Sequence, residues 1–340
     1  MNPLLEAKIE KSKKSLILAS LMSKHYYHKP IIICYSGGKD SDVILRLAIE
    51  TLDPSEFEVL HSITTVDSPI TNRYVNEVFA ELKDKGIECR KKIPIGKDGK
   101  PTNMWKLIPE KQIPPSRFHR YCCSVLKEAS TPNRVAVLGV RGNESSKRQG
   151  RNIFGVNGKT YKDAKFFSLE HADEVFHEAL EKEQEPNGEV WDCTLIKTMR
   201  ENKNTVINPI YEWSDSEVWD YLKGGHHKYN PMYDMGYTRV GCIGCPLATY
   251  KMKRKEFSDF PTYKKHYIKA FDEMLTRNKE RDDRWKNKKW TNGQSVFDWW
   301  IEKDRHETRG QISIADYMDE QVDDFGLIVR KPKGERNGPD

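Results

Sequence analysis

Four apolar residues, Ile31-Ile32-Ile33-Cys34, run directly into Tyr35-Ser36-Gly37-Gly38-Lys39-Asp40-Ser41-Asp42, and residues 42–50 then carry helical apolar spacing. A strand that stops at two glycines and turns into a helix gathers backbone N–H groups and the positive end of a helix dipole around one small volume, which is a phosphate site in physical terms. Gly37 and Gly38 can take positive φ and let phosphate oxygens approach the main chain. The hydroxyls of Ser36 and Ser41 can donate hydrogen bonds, and Lys39 adds a cation beside Asp40. The spacing is not GxxxxGK[ST], so the phosphate-transferring P-loop is a poor match. The same string also suits a tight strand-to-helix turn in which Asp40 or Ser41 caps the helix.

Around this loop the apolar pattern alternates between the two periods. Residues 57–63, 87–93 and 134–140 read as strands, and 74–85 as a helix. A β-α-β-α-β order argues for an α/β fold with a doubly wound parallel sheet and a helical C-terminal region. Residues 1–28 read as an amphipathic helix facing inward through Leu5, Ile9, Ile17 and Leu21. The main domain is expected over 29–250, interrupted by a polar insertion at about 150–206 whose most loop-like part is 181–189. Ser214 followed by Glu217 is a capping box ahead of another helix. Residues 251–340 form a basic, Trp-rich helical region.

Charged residues make up 32% of the chain and no apolar stretch approaches the roughly 20 residues of a membrane span, so no membrane association is expected. Residues 16–21 are a short apolar piece without a cleavage pattern, which does not read as a signal peptide, and a cytoplasmic setting is expected. There the seven cysteines, at 34, 89, 122, 123, 193, 242 and 245, serve as metal ligands or buried thiols rather than disulfides. Tandem Cys122-Cys123 and the pair Cys242-Ile-Gly-Cys245 together supply four thiolates, the ligand set of a structural zinc or a [4Fe–4S] cluster. Adjacent cysteines turn both sulfurs toward one tetrahedral zinc with difficulty, whereas a cube offers each its own iron corner, which favours the cluster. Two unrelated buried pairs are the simpler reading.

SGGKDS after an apolar strand resembles the pyrophosphatase loop (PP-loop) of the adenine-nucleotide α-hydrolase superfamily. With it, in order, come Thr65-Val-Asp67, Cys122-Cys123-Ser-Val-Leu-Lys127, Leu138-Gly-Val-Arg-Gly-Asn-Glu-Ser-Ser-Lys-Arg148, Asn208-Pro-Ile-Tyr-Glu-Trp213 and the segment from Asn230-Pro-Met-Tyr to Cys245. This series resembles the phosphoadenosine phosphosulfate reductase family over about 30–246, closest in cysteine pattern to its DNA phosphorothioation sulfurtransferases and cluster-bearing adenylylsulfate reductases. The resemblance implies an adenine nucleotide, ATP with Mg²⁺, held by Ser36, Gly37, Gly38, Lys39, Asp40 and Ser41, with Asp67 on the adenosine side. It implies Lys39, Asp40 and Arg141 as catalytic groups and Arg141 with Arg148 facing the substrate's sulfate or phosphate, a task that suits the planar guanidinium fork. Lys127 and Arg239, each close in sequence to a cysteine pair, are further substrate-side cations.

The family's reductases attack sulfur with a cysteine beyond the CxxC pair, and none follows Cys245 here. Cys193 reads as an ordinary thiol. The expectation is therefore an ATP-dependent sulfurtransferase supplied by a sulfur donor such as a cysteine desulfurase, with a sulfonucleotide reductase and a nucleotide-binding subunit without turnover as alternatives. Between Lys251 and Lys289, 14 Lys and Arg stand against 7 Asp and Glu. Interleaved with Tyr, Phe and Trp, the basic run at 251–290 suits DNA or another nucleic acid, or else a solvated helix pair with aromatic core faces.

Overall fold

A computed structural model describes residues 2–127, 133–144, 146–156, 164–183, 194–201, 203–281, 290–302, 321–322 and 328–329. In chain order the elements begin with α1 (Pro3–Tyr27), β1 (Ile31–Cys34), α2 (Lys39–Thr51), β2 (Phe57–Ser62), α3 (Pro69–Asp84), β3 (Glu88–Lys92), α4 (Met104–Lys111), α5 (Tyr121–Leu126) and β4 (Val135–Val137). They continue with α6 (Ser146–Gln149), β5 (Phe154–Val156), β6 (Lys165–Phe167), α7 (Leu169–Glu183), α8 (Thr194–Arg200), β7 (Thr205–Ile207) and α9 (Asp215–Gly224). Last come α10 (Tyr250–Asp259), α11 (Pro261–Arg281), α12 (Gly293–Ile301), β8 (Gln321–Val322) and β9 (Ile328–Val329). The chain divides into two compact units, the first made of residues 1–63, 67–92 and 129–241, the second of 64–66, 93–128 and 242–340.

The first unit holds a seven-stranded sheet in the order β3-β2-β1-β4-β7-β5-β6. Its first five strands pair in parallel, as the alternating pattern requires. The fold is α/β. Strand order reverses between β1 and β4, and the carboxyl ends of the strands at such a switch point are where open α/β sheets bind ligands. The loop at 35–38 leaves β1 at that end, and residues 138–144 leave β4 beside it.

The stretch at 150–206 is more than a polar insertion. It supplies β5 and β6, which extend the sheet as antiparallel strands, together with α7 and α8. Three-residue strands such as Phe-Gly-Val and Lys-Phe-Phe are too short to show alternation, which is why they were hidden. α7 did carry a legible stripe, Leu169, Ala172, Val175, Phe176 and Ala179, all buried. Residues 184–189 of the loop-like part lie outside the described residues.

α1 forms as expected, but its inward face differs. Leu5 and Ile9 are buried, whereas Ile17 is 43% and Leu21 47% exposed. The buried face runs Leu5, Ile9, Ser12, Leu16, Ala19 and Ser23, with serines at positions that hydropathy assigns to solvent. Each serine is bonded, which removes the penalty for burying its hydroxyl. The Ser12 hydroxyl lies 2.7 Å from the Pro209 carbonyl and accepts from the Trp213 indole at 3.1 Å, while Ser23 donates to the Lys29 carbonyl at 2.8 Å. Two helices start earlier than apolar spacing suggested. α2 begins at Lys39, and α3 at Pro69, where Ser68 caps the Thr71 N–H at 3.0 Å and proline takes the first helical position.

The second unit packs α4, α5, α11 and α12 around an aromatic core. Tyr267, Phe271 and Phe297 are fully buried, and the Tyr267 and Trp300 rings sit 4.8 Å apart. Phe257 meets Phe297 edge-on at 4.9 Å. The aromatic residues interleaved with lysines in α10 and α11 are thus largely core. Residues 282–289 lie outside the described residues, as does Cys193. No helix among the described residues is long and apolar enough to cross a membrane.

At α9 the capping box is present: Ser214 Oγ accepts from the Glu217 N–H at 3.2 Å and Glu217 Oε2 accepts from the Ser214 N–H at 2.7 Å. Replacing Ser214 by Ala removes one of the two bonds and should lower unfolding free energy by about 1 kcal/mol, read as a shifted urea midpoint at constant slope. An unchanged midpoint would show that Glu217, also paired with Lys8 at 2.8 Å, holds the helix end alone.

Candidate functional site

The loop after β1 is built by its own side chains. Gly37 has φ +73°, and an added Cβ would stand 3.0 Å from Val75 and 3.3 Å from Thr71, so glycine is required by conformation and by space. Gly38 is the residue before α2, and neither Asp40 nor Ser41 is the cap. Ser41, in the first turn, instead folds back, its Oγ accepting from the Gly38 N–H at 3.1 Å and donating to the Gly38 carbonyl at 2.7 Å. The Ser36 and Ser41 hydroxyls lie 3.2 Å apart. Two residues from far along the chain fix the loop: Asn230 donates to the Gly37 carbonyl at 2.9 Å, and the Tyr233 hydroxyl accepts from the Lys39 N–H at 2.9 Å.

Beside the loop, Lys39 and Arg141 have side chains only 6% and 5% exposed. Buried cations need anionic partners, and two carboxylates supply them. Arg141 Nε donates to Asp40 Oδ1 at 2.6 Å, and Lys39 Nζ stands 3.2 Å from Asp40 Oδ2. Both cations then converge on a single oxygen, Asp215 Oδ1, at 2.8 Å from Lys39 and 2.9 Å from Arg141. Asp215 opens α9 and its side chain is 62% exposed. Burial works against its charge, but the hydrogen bond and charge of Lys39, with those of Arg141, outweigh this and hold its pKa below the ordinary value. Gly139 lets β4's outgoing chain come this close, since a Cβ there would lie 3.2 Å from that of Asp40.

Arg148 pairs with Glu144 on the same side of the site. Its pKa is lowered, first by burial and then by Arg151, with Arg239 and Arg141 adding to the repulsion and Asp40 opposing it. Arg141, Arg151 and Arg239 each act on Arg148, a concentration of positive charge that a nearby anion would offset. The sequence candidates Arg141, Arg148 and Arg239 are therefore gathered in one unit with the loop. Arg239 acts electrostatically on Arg148 within this unit. Asp67, buried just before α3, lies in the same unit. Sequence reasoning passed over Asp215, Asn230, Tyr233 and Arg151, although Asn230 and Tyr233 stand in the quoted NPMY string.

Behind the loop Asp42 is fully enclosed. The Tyr35 hydroxyl donates to its Oδ1 at 2.6 Å, and its Oδ2 has no hydrogen-bond partner among the described residues. Burial pushes the Asp42 pKa from its ordinary 3.8 up to about 7, against the pull of the Tyr35 and Tyr74 hydroxyls and the charge of Arg46, with Asp40 adding to the rise. A carboxyl raised in this way stabilises the fold only while protonated. Its contribution is complete below the unfolded pKa and is lost as pH rises through about 7. Asp42→Asn carries no such titration, so its melting temperature should rise relative to the parent between pH 5 and pH 8, by differential scanning fluorimetry. A difference that stays constant with pH would contradict the buried proton.

The four cysteines Cys122, Cys123, Cys242 and Cys245 all fall in the second unit, within electrostatic reach of one another. A hydrogen bond with Cys123 and burial push the Cys122 thiol up, while the same bond, aided by Arg120 and Lys127, brings Cys123 down to about 6 despite burial. Arg120 Nη2 stands 3.5 Å from the Cys123 sulfur. The turn between the other two is tightly held. Gly244 has φ +72°, an added Cβ would lie within 3.0 Å of the Phe257, Trp300 and Tyr267 rings, and its N–H donates to Glu256 at 2.7 Å. The Tyr267 hydroxyl donates to the Ile243 carbonyl at 2.9 Å, and the Ile243 N–H to the Val66 carbonyl at 2.7 Å. No group of three or more His, Cys, Asp or Glu side chains is close enough to share one metal ion among the described residues. Four thiol donors on two pinned segments are nonetheless the donor chemistry of an iron–sulfur cluster. Cys34 and Cys89, each pushed up to about 11 by burial, are ordinary thiols.

The comparison with known proteins covers the loop. An uncharacterized protein of Methanocaldococcus jannaschii is 26% identical over 242 residues, covering 68% of this chain and 39% of that protein. This chain thus spans less than half the length of that relative. The adenosine 5'-phosphosulfate reductase of Allochromatium vinosum is 43% identical over 44 residues, 12% of this chain and 16% of the reductase. Among solved structures, the U34-tRNA thiolase of Methanococcus maripaludis with its [4Fe–4S] cluster is 12% identical with a TM-score of 0.34, covering 84% of this chain and 82% of the thiolase, a likeness too low to carry an inference. Residues 30–248, well over half of the chain and including the loop, the arginines and all four clustered cysteines, match the phosphoadenosine phosphosulfate reductase domain, and the chain belongs to that family of the PP-loop superfamily.

Proposed function

We propose that this chain is an ATP-dependent sulfurtransferase that adenylates an oxygen of its acceptor and exchanges it for sulfur, with DNA as the acceptor, as in DNA phosphorothioation. The observation that carries the reading is the single carboxylate oxygen of Asp215 held between Lys39 and Arg141 beside the loop. A nucleotide phosphate offers oxygens of the same charge and geometry with more of it, and the surrounding arginines give it further partners.

In this scheme the N–H groups at the start of α2 and the Ser36 and Ser41 hydroxyls receive the phosphates of ATP. Lys39 and Arg141 stand where negative charge grows as an acceptor oxygen attacks the α-phosphorus and pyrophosphate departs. Adenylation turns a poor leaving oxygen into a good one, and a sulfur nucleophile then displaces AMP. Cys122, Cys123, Cys242 and Cys245 would hold a [4Fe–4S] cluster, which when bound supplies iron at which sulfide can be carried. Arg120 and Lys127 would offset the negative charge of four thiolates there. The sulfur itself would come from a donor such as a cysteine desulfurase, as a persulfide whose S–S bond a thiol reductant cleaves, releasing sulfide-level sulfur and leaving the two thiols as a disulfide. The 44-residue likeness to an adenosine 5'-phosphosulfate reductase favours, as a second reading, sulfite release from a sulfonucleotide.

Anaerobically purified protein separates these readings when ATP and adenylylsulfate are offered side by side, with and without a DNA oligonucleotide. The sulfurtransferase reading predicts about four irons and four acid-labile sulfides per chain. It also predicts pyrophosphate from ATP at a rate that falls on the order of a hundredfold in Arg141→Ala. Sulfite from adenylylsulfate would make the protein a reductase. Neither product would leave a nucleotide-binding subunit.

A further inference from the structure

The segment leading into Cys122 carries an aromatic side chain turned to solvent. Phe118 is 75% exposed, the most exposed large apolar side chain of the described residues, yet the loop that bears it is firmly held. The Ser116 N–H donates to the His119 carbonyl at 3.2 Å and Ser116 Oγ accepts from the His119 N–H at 3.0 Å, closing a tight turn with Phe118 at its tip. On either side the Trp300 indole donates to the Pro115 carbonyl at 2.7 Å, and the Tyr121 hydroxyl to the Ile113 carbonyl at 2.8 Å. His119 is buried, so the turn cannot roll Phe118 inward without expelling it.

The flanks of this ring are cationic. Arg117 and Arg120 are exposed in the same turn, and Lys127 is exposed at the end of α5. The second cysteine segment repeats the pattern: Leu247 is exposed two residues after Cys245, followed by exposed Lys251 and Arg254 at the start of α10. Cys122 lies within electrostatic reach of Cys242 and Cys245 in the same unit, and each cysteine segment carries its own exposed apolar side chain and cations. Of the aromatic rings of α10 and α11 that the sequence offered for stacking, Phe257, Tyr267 and Phe271 are core residues with no free face, and Tyr263 is half-buried against them. Phe118 has a free face.

We infer that Phe118, with Arg117 and Arg120, is a docking platform for an unpaired base of single-stranded DNA beside the four-cysteine centre. A projecting ring with an exposed arginine on either side of it in the turn offers a π-face for a base and cations for the flanking phosphates. Bases inside a duplex are already stacked, so the platform selects an unpaired segment. The choice of DNA as ligand rests on the sulfurtransferase reading, whereas the platform itself stands on exposure, anchoring and charge.

The test is fluorescence anisotropy of the full-length protein with a labelled single-stranded DNA oligonucleotide, the same sequence as duplex, and its single-stranded RNA counterpart, at two salt concentrations. Phe118→Ala should weaken binding to the single-stranded DNA about tenfold, Phe118→Trp should retain it, and the duplex should bind more weakly than the single strand. Phe118 is exposed, so Ala leaves the core intact. Phe118→Ala binding as tightly as the parent would overturn the platform, as would a parent protein that binds no oligonucleotide while still releasing pyrophosphate from ATP. RNA bound more tightly than DNA would overturn DNA as the occupant. Phe118-dependent DNA binding without any pyrophosphate release would uphold the platform and refute the sulfurtransferase reading.

Discussion

Lys39 and Arg141 are buried at the carboxyl end of a parallel sheet, and a buried cation must be matched by an anion or lose its charge. Much of the first unit's construction follows from that requirement. β1 and β4 are neighbours, which brings the residue that opens α2 and the residue that leaves β4 to one place. Gly139 permits the approach, Asp40 answers Arg141 from within the motif, and α9 presents Asp215 from its first turn. Removing one member of such a network costs about 3–5 kcal/mol where the group is buried, so the site is held closed by its own charges. Asp215 is the exposed member.

The chemistry of the second unit depends on rigidity of a different kind. The Cys242–Cys245 turn is pinned by backbone bonds and by aromatic rings that leave no room beyond glycine at Gly244. Cys122 and Cys123 are adjacent thiols of opposite tendency, Cys122 pushed up by its neighbour and by burial and Cys123 brought down with the help of Arg120. Cationic side chains at the border oppose the negative charge that four thiolates would bring. The same unit devotes the aromatic residues of α10 and α11 to its core, so the basic character of that region is a surface property laid over packed rings.

The loop and the parallel strands were legible because their signals are local: an apolar run, two glycines and a short string of polar residues of fixed type. The four cysteines were legible as a group because two spacings stood out. Ser12 and Ser23 in α1 were not, since a hydroxyl bonded within the fold looks identical in sequence to one facing water. β5 and β6 escaped because three residues hold less than two periods of alternation. Asp215 was visible only as part of a capping box, and its bond to Lys39, from a residue 176 positions earlier, follows from the order of strands in the sheet. Phe118 carries no pattern at all in sequence; its exposure is a property of the turn that holds it.

The account stands on Asp215 occupying the place of a nucleotide phosphate between two cations. The most direct measurement is isothermal titration of ATP into the parent protein and into Asp215→Asn, which keeps the shape and removes the competing charge. Tighter ATP binding to the variant, by several-fold, is expected if the Asp215 carboxylate and a phosphate compete for the two cations. Binding that is unchanged or weaker would show that Asp215 does not stand in the phosphate's place and would contradict the account.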